Sequence, residues 1–132
     1  MDVDLLFIPL NMVQWKECSS RGFIEPNQHE DSKYIYSIEA YTPSVVEEIL
    51  NFKFIDQNDL LLILIDPIRI TVPIKSELNY LKPNTEEDSF GNSKRYQVVH
   101  LQGKISIDAV IDRIPIQKDV DGLFHVHIET ID

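Results

Sequence analysis

Leu60-Leu61-Leu62-Ile63-Leu64-Ile65 is an unbroken apolar run set between two turn signals, Gln57-Asn58-Asp59 before it and Asp66-Pro67 after it. A run this short, bounded by turn formers, suits a strand buried on both faces better than a helix, which needs roughly ten residues or more. The reading predicts a central strand at 60–65, with the rest of the chain arranged around it.

Outward from this run, most of the chain alternates with period two and is rich in Ile, Val, Tyr and Phe, the pattern of half-buried strands. Upstream, the spacing predicts a strand over Asp2 to Gln14, where Pro9 implies an edge or a bulge because proline cannot donate to a ladder. A polar crossing follows from Trp15 to Gly22, with at most one helical turn that Gly22 would stop. Asn27 to Lys33 reads as a polar loop. Tyr34 to Tyr41 reads as a strand with Tyr34, Tyr36, Ile38 and Ala40 on one face. Thr42 to Leu50 has an N-cap candidate, proline at the first helical position and apolar residues at helical spacing, so a short helix is expected there. Asn51 to Ile55 is expected to return to strand.

Downstream, Ile68, Ile70, Val72 and Ile74 alternate as a strand, and Ser76 to Lys94 is aperiodic, acidic and dense in turn formers, the signature of a long inserted loop. Arg95 to Leu101 resumes as a strand and Gln102-Gly103 turns. Lys104 to Ile111 points Ile105, Ile107, Ala109 and Ile111 inward. A short strand at Arg113 to Gln117, a turn at Asp119 to Gly122 and a last strand at Leu123 to Ile131 complete the order. The expectation is one domain over residues 1–132: an all-β, antiparallel β-sandwich, jelly-roll-like or a partly closed barrel, with at most one or two short helices.

A chain of 132 residues buries enough surface, roughly two-thirds of that exposed when unfolded, to fold without a disulfide or metal staple. Its 22 acidic residues outweigh 12 Lys and Arg for a net charge of −10, which disfavours direct nucleic-acid and anionic-membrane partners and favours a basic protein. Cys18 has no second cysteine to pair with, the opening M-D-V-D carries acids where a signal peptide carries bases, and no apolar run approaches the roughly 20 residues of a membrane helix. A cytoplasmic location is expected.

Chemistry-bearing motifs are sparse. His125-Val126-His127-Ile128-Glu129 places two imidazoles and a carboxylate at alternate positions, and with His100 they are the candidates for a metal site. Phe124, Val126 and Ile128 supply the complementary apolar face, so the same pattern is that of a strand with one wet face, and no cofactor is expected. Cys18 in W-K-E-C-S-S-R-G lacks a nucleophile signature, G-x-S-x-G is absent, and four glycines leave no phosphate-cradling loop. Enzymatic activity is not expected.

The acidic residues are the remaining feature. Glu86-Glu87-Asp88 in the long segment and Asp119 and Asp121 in a turn would present carboxylates to a basic partner, with Tyr80 and Phe90 of the type that anchors interfaces. Ile70-Thr71-Val72-Pro73-Ile74, then Val98-Val99-His100-Leu101-Gln102-Gly103-Lys104-Ile105-Ser106-Ile107-Asp108-Ala109-Val110, together with Trp15, Gly22-Phe23 and Tyr36-Ser37-Ile38-Glu39-Ala40, resemble the competence protein J family, inhibitors of the bacterial DNA-entry nuclease. That resemblance covers about two-thirds of the chain in pieces, and the family has a shorter connection where this chain runs on from Ser76. It implies a small acidic protein that binds and blocks a nuclease, and it carries over no inhibitory residues. Two other readings are a structural or regulatory β-domain that forms an oligomer, and a metal-binding β-barrel using His125 and His127.

Overall fold

The computed structural model describes residues 5–28, 34, 36–80 and 95–126. Strand β1 (Leu6–Asn11) runs into helix α1 (Met12–Arg21), followed by β2 (Phe23–Ile24), β3 (Asn27–Gln28), β4 (Tyr36–Ala40), helix α2 (Pro43–Lys53) and β5 (Leu60–Ile65). Then come β6 (Ile74–Tyr80), β7 (Arg95–Leu101), β8 (Ile105–Ser106) and β9 (Val110–Ile116), with single 3-10 turns at Pro67–Arg69 and Ile107–Ala109. The strands pair as β1-β5-β9, β2-β8 and β3-β4-β7-β6, every pairing antiparallel. The expected antiparallel β domain with two short helices is what the chain forms.

The apolar run at 60–65 is the central strand of its sheet, flanked on both sides by ladders. Leu61, Ile63 and Ile65 face one core cluster with Leu6, Ile8 and Ile38, and Leu60 and Leu62 face a second with Val46, Ile49 and Leu50 of α2. Apolar neighbours on both faces are why no polar residue interrupts the run. Each such side chain contributes about 1.5–3 kcal/mol on full burial.

The two larger sheets meet at one pair of residues. Phe7 N–H donates to the Tyr41 carbonyl at 2.8 Å and Tyr41 N–H donates back at 2.9 Å, joining β1 to the end of β4. Through this bridge the two sheets run on in the antiparallel order β9-β5-β1-β4-β7-β6. Because Phe7 spends its main-chain groups on Tyr41, alternation puts the missing N–H of Pro9 on that same edge, where it breaks no bond of the β1–β5 ladder. Pro115 sits likewise opposite Leu61 on the outer strand β9.

Several local expectations are corrected. Met12 to Arg21 is a helix of three turns instead of a strand end and a polar crossing. Asn11 accepts from Gln14 N–H at 2.8 Å while Gln14 Oε1 accepts from Asn11 N–H at 2.9 Å, a capping box, and Gly22 closes the far end at φ +89°. Only Trp15 and Cys18 are buried along it, too thin a stripe to register as amphipathic. Helix α2 begins behind Thr42 as expected but continues through Lys53, so Asn51 to Lys53 is not strand.

The strand expected over Ile68 to Ile74 starts only at Ile74. Asp66 accepts from Ile68 N–H at 3.0 Å and tightens Pro67–Arg69 into a 3-10 turn that leaves Ile68 exposed. Ser76 to Tyr80, expected as the start of a long loop, continues β6 in register with β7, from Ile74↔Leu101 to Tyr80↔Arg95. Its apolar residues Ile74 and Leu78 face solvent, which hid the strand. The remainder of that expected loop, 81–94, lies outside the described residues. Lys104 to Ile111 is interrupted because Ser106 Oγ accepts from Asp108 N–H at 3.1 Å. Ile111 points outward because pairing skips from Leu64↔Asp112 to Ile65↔Val110, making it the extra residue of a bulge.

Candidate functional site

Asp119 to Gly122 forms the described turn that carries sequence-predicted partner residues. It lies between Lys118 and Phe124, which bridge antiparallel. Asp119 N–H donates to the Leu123 carbonyl at 2.8 Å and Gly122 N–H to the Asp119 carbonyl at 2.9 Å, with Gly122 at φ +79° where a side chain would strain the backbone. Asp121 Oδ1 accepts from Leu123 N–H at 2.9 Å, and its Oδ2 meets His125 Nε2 at 2.8 Å. The Asp121 carboxylate is thereby fixed by side-chain hydrogen bonds, and Asp119 is fixed through its main chain.

The turn is in turn fastened to α2. Asn51 Oδ1 accepts from Phe124 N–H at 2.7 Å, and Asn51 Nδ2 donates to the Phe124 carbonyl at 2.9 Å. Glu47 Oε1 accepts from Val126 N–H at 2.7 Å. Phe124 itself is buried among Val46, Ile49 and Leu50. At the tip, between the two aspartates, Val120 is fully exposed. Carried on an ordered turn, this apolar side chain is available for contact with another surface.

Charge reinforces this geometry. The hydrogen bond from His125 lowers the Asp121 carboxyl below its usual range, helped by the Leu123 N–H. The same bond raises His125 above the ordinary imidazole value, helped by the charges of Asp119 and Glu47. Both groups are solvent-exposed, so the pair orders the turn more than it stabilises the fold.

His100 stands apart from His125. It is fully buried on β7, with Nδ1 2.7 Å from Ser37 Oγ and Nε2 3.0 Å from Glu77 Oε2, and the Tyr34 ring lies 5.0 Å away, centroid to centroid. Ser37, His100 and Glu77 have the residue types of a nucleophile relay. Ser37 is also fully buried, so the row cross-braces β4, β7 and β6 as a satisfied polar core. With both nitrogens committed, His100 is poorly placed to ligate a metal. No three His, Cys, Asp or Glu side chains converge as metal ligands among the described residues. His127 and Glu129 lie outside them.

Of the predicted partner residues, Asp119 and Asp121 come together. Glu86, Glu87, Asp88 and Phe90, and the side chain of Tyr80, lie outside the described residues. Sequence reading missed Val120, Asn51 and Glu47. D-V-D-G carries the turn signature that flags Val120. Nothing in the sequence links Asn51 to Phe124, 73 positions away. Among the described residues no helix is long and apolar enough to cross a membrane, and Cys18 is buried as a free thiol.

Fold and turn together define an antiparallel β domain that displays an ordered acidic turn. No protein-family model matches the chain, and no curated protein matches it significantly. Among solved structures, the crystal structure of protein CC0527 from Caulobacter crescentus matches with a TM-score of 0.67 at 18% identity, over 92% of this chain and 93% of that one. A double-mutant form of CC0527 matches equally, with a TM-score of 0.67 at 18% identity over 92% of this chain and 93% of that one. At that identity the likeness concerns the fold.

Proposed function

We propose that this protein is an acidic, non-catalytic inhibitor or immunity-type protein of the cytoplasm that binds a basic partner, a nuclease by preference, and covers its nucleic-acid cleft. The observation that carries this reading is the turn 119–122, where Asp119 and the hydrogen-bonded carboxylate of Asp121 flank the fully exposed Val120. The carboxylates stand where phosphates would bind, and Val120 supplies the apolar contact. Because the turn is already ordered by Asn51, Glu47 and His125, little conformational entropy remains to be lost on binding. A net charge of −10 adds long-range attraction that speeds encounter.

The test is affinity capture from the native host, followed by stopped-flow association with the captured protein over a range of ionic strength. The expected result is an association rate that falls steeply with salt, and an Asp119→Asn, Asp121→Asn double variant that associates more slowly. An on-rate indifferent to salt would sink the phosphate-mimic mechanism.

A second reading is a β-domain that pairs with itself. Among the described residues β6 is an edge strand, and it exposes Ile74 and Leu78, an arrangement open to edge pairing. Light scattering over a concentration series tests it, and a monomer throughout would count against it.

A further inference from the structure

Strand β4 has β7 along one edge. Along the other it pairs with β3 at Ser37 and with β1 at Tyr41. Between those two pairings, beside Glu39, no strand pairs with β4 among the described residues, and Pro9, the β1 residue next in line after Phe7, has no N–H to continue the ladder. A groove of about 450 Å³ opens there, walled by α1 and the end of α2. Its lining comes from both faces of the sheet: Ile8 and Ile38 belong to one core cluster and Tyr41 to the other. The groove is therefore a gap in the sheet, and its volume falls within the roughly 300–1,000 Å³ of small-molecule sites.

Its charges are mixed and come from separate elements. Arg21 enters from α1, 3.7 Å from Glu25, and Lys53 from the end of α2, 3.5 Å from Glu39. The Glu39 carboxylate is mostly covered and also accepts the Tyr41 hydroxyl at 2.8 Å. Burial, reinforced by the Glu39 charge, raises the Tyr41 pKa, which keeps that phenol protonated and donating. Asn11, Gln14 and Gln57 add amides able to donate and accept. A purely anionic ligand would face Glu17, Glu25 and Glu39, and a purely cationic one would face Arg21 and Lys53. Both conflicts vanish for a molecule carrying both charges, with its carboxylate toward the cations, its amine toward Glu39 and an apolar side chain against Ile8 and Ile38.

We propose that the gap between β1 and β4 binds a small zwitterion bearing an amine and a carboxylate, of the class of a free amino acid or dipeptide. The site is independent of the acidic turn. The test is an NMR titration of the folded protein with the free L-amino acids and their glycyl dipeptides. The best binder is then compared with its N-acetyl and C-amide forms. The expected result is saturable shifts confined to residues around the groove, such as Leu10, Gln14, Cys18 and Glu39, and at least about tenfold weaker binding after either end is capped. Lys53→Met is expected to weaken the preference for a free carboxylate while Arg21 remains, and Glu39→Gln to weaken the preference for a free amine. If Glu39→Gln does not fold, the partly exposed Lys53→Met decides. A panel in which no member saturates those resonances, or capped forms that bind as well as the parent, overturns the proposal.

Discussion

Asn51 holds Phe124 through both of its main-chain groups, accepting its N–H at 2.7 Å and donating to its carbonyl at 2.9 Å. One helix side chain thus imitates a strand neighbour and pins the segment that follows the acidic turn.

Asn51→Ala is expected to destabilise the protein by about 1–3 kcal/mol, since it leaves two partly buried main-chain groups without that partner. The loss concentrates locally, so amide exchange at Phe124 accelerates more than in β5. Chemical denaturation and hydrogen exchange check the two parts separately, and equal acceleration everywhere would contradict the clamp.

His125 and Asp121 give the turn a pH window. A pKa raised on folding, as for His125, contributes stability below the ordinary imidazole value that is lost as pH climbs through the raised one. The lowered pKa of Asp121 contributes stability above the ordinary carboxylate range that is lost as pH falls through the lowered value. The pair's contribution to the turn is therefore greatest between the ordinary carboxylate and imidazole values and fades on either side. An NMR titration of the His125 imidazole checks this, with Asp121→Asn expected to return it toward its ordinary value.

Leu62 is fully buried at the centre of the middle strand, whereas Ile68 is exposed on a 3-10 turn. Leu62→Ala is expected to cost about 2–5 kcal/mol, and Ile68→Ala to stay within about 0.5 kcal/mol of the parent. Denaturant midpoints at constant slope decide it.

At Gly103 an added Cβ would fall 2.5 Å from Val72 Cγ1, too close for both to stay. Gly103→Ala is expected to cost about 1–3 kcal/mol through overpacking. Combining it with Val72→Ala removes the 2.5 Å contact and leaves only the Val72 Cβ at 3.1 Å, so the double variant is more stable than the sum of the two single losses implies. Simple additivity in a double-mutant cycle would refute the contact.

His100→Leu strips Ser37 and Glu77 of a buried partner and is expected to cost about 1–3 kcal/mol. The loss falls on pairing among β4, β7 and β6, read as faster exchange at Val98 and Val99 than at Leu62.

What the chain's own sequence determined is the set of strongly patterned elements. Leu60 to Ile65 is a central strand because its neighbours on both faces are apolar, and Arg95 to Leu101 is a strand because β-branched and aromatic residues favour pleated pairing. Thr42-Pro43 starts α2, Gly22 stops α1, and D-V-D-G makes a turn, since each rests on the backbone preferences of the residues themselves. Tertiary structure decided the rest. Ser76 to Tyr80 became a strand with exposed Ile74 and Leu78 because pairing with β7 supplied what hydrophobic pattern lacked, whereas Met12 to Arg21, with only two buried residues, is marked by its local caps, Asn11-Gln14 and Gly22. The Phe7–Tyr41 junction, the Asn51 clamp on Phe124 and the gap beside Glu39 each join residues far apart in the chain. Such contacts depend on where the folded backbone brings two segments, which no local preference encodes.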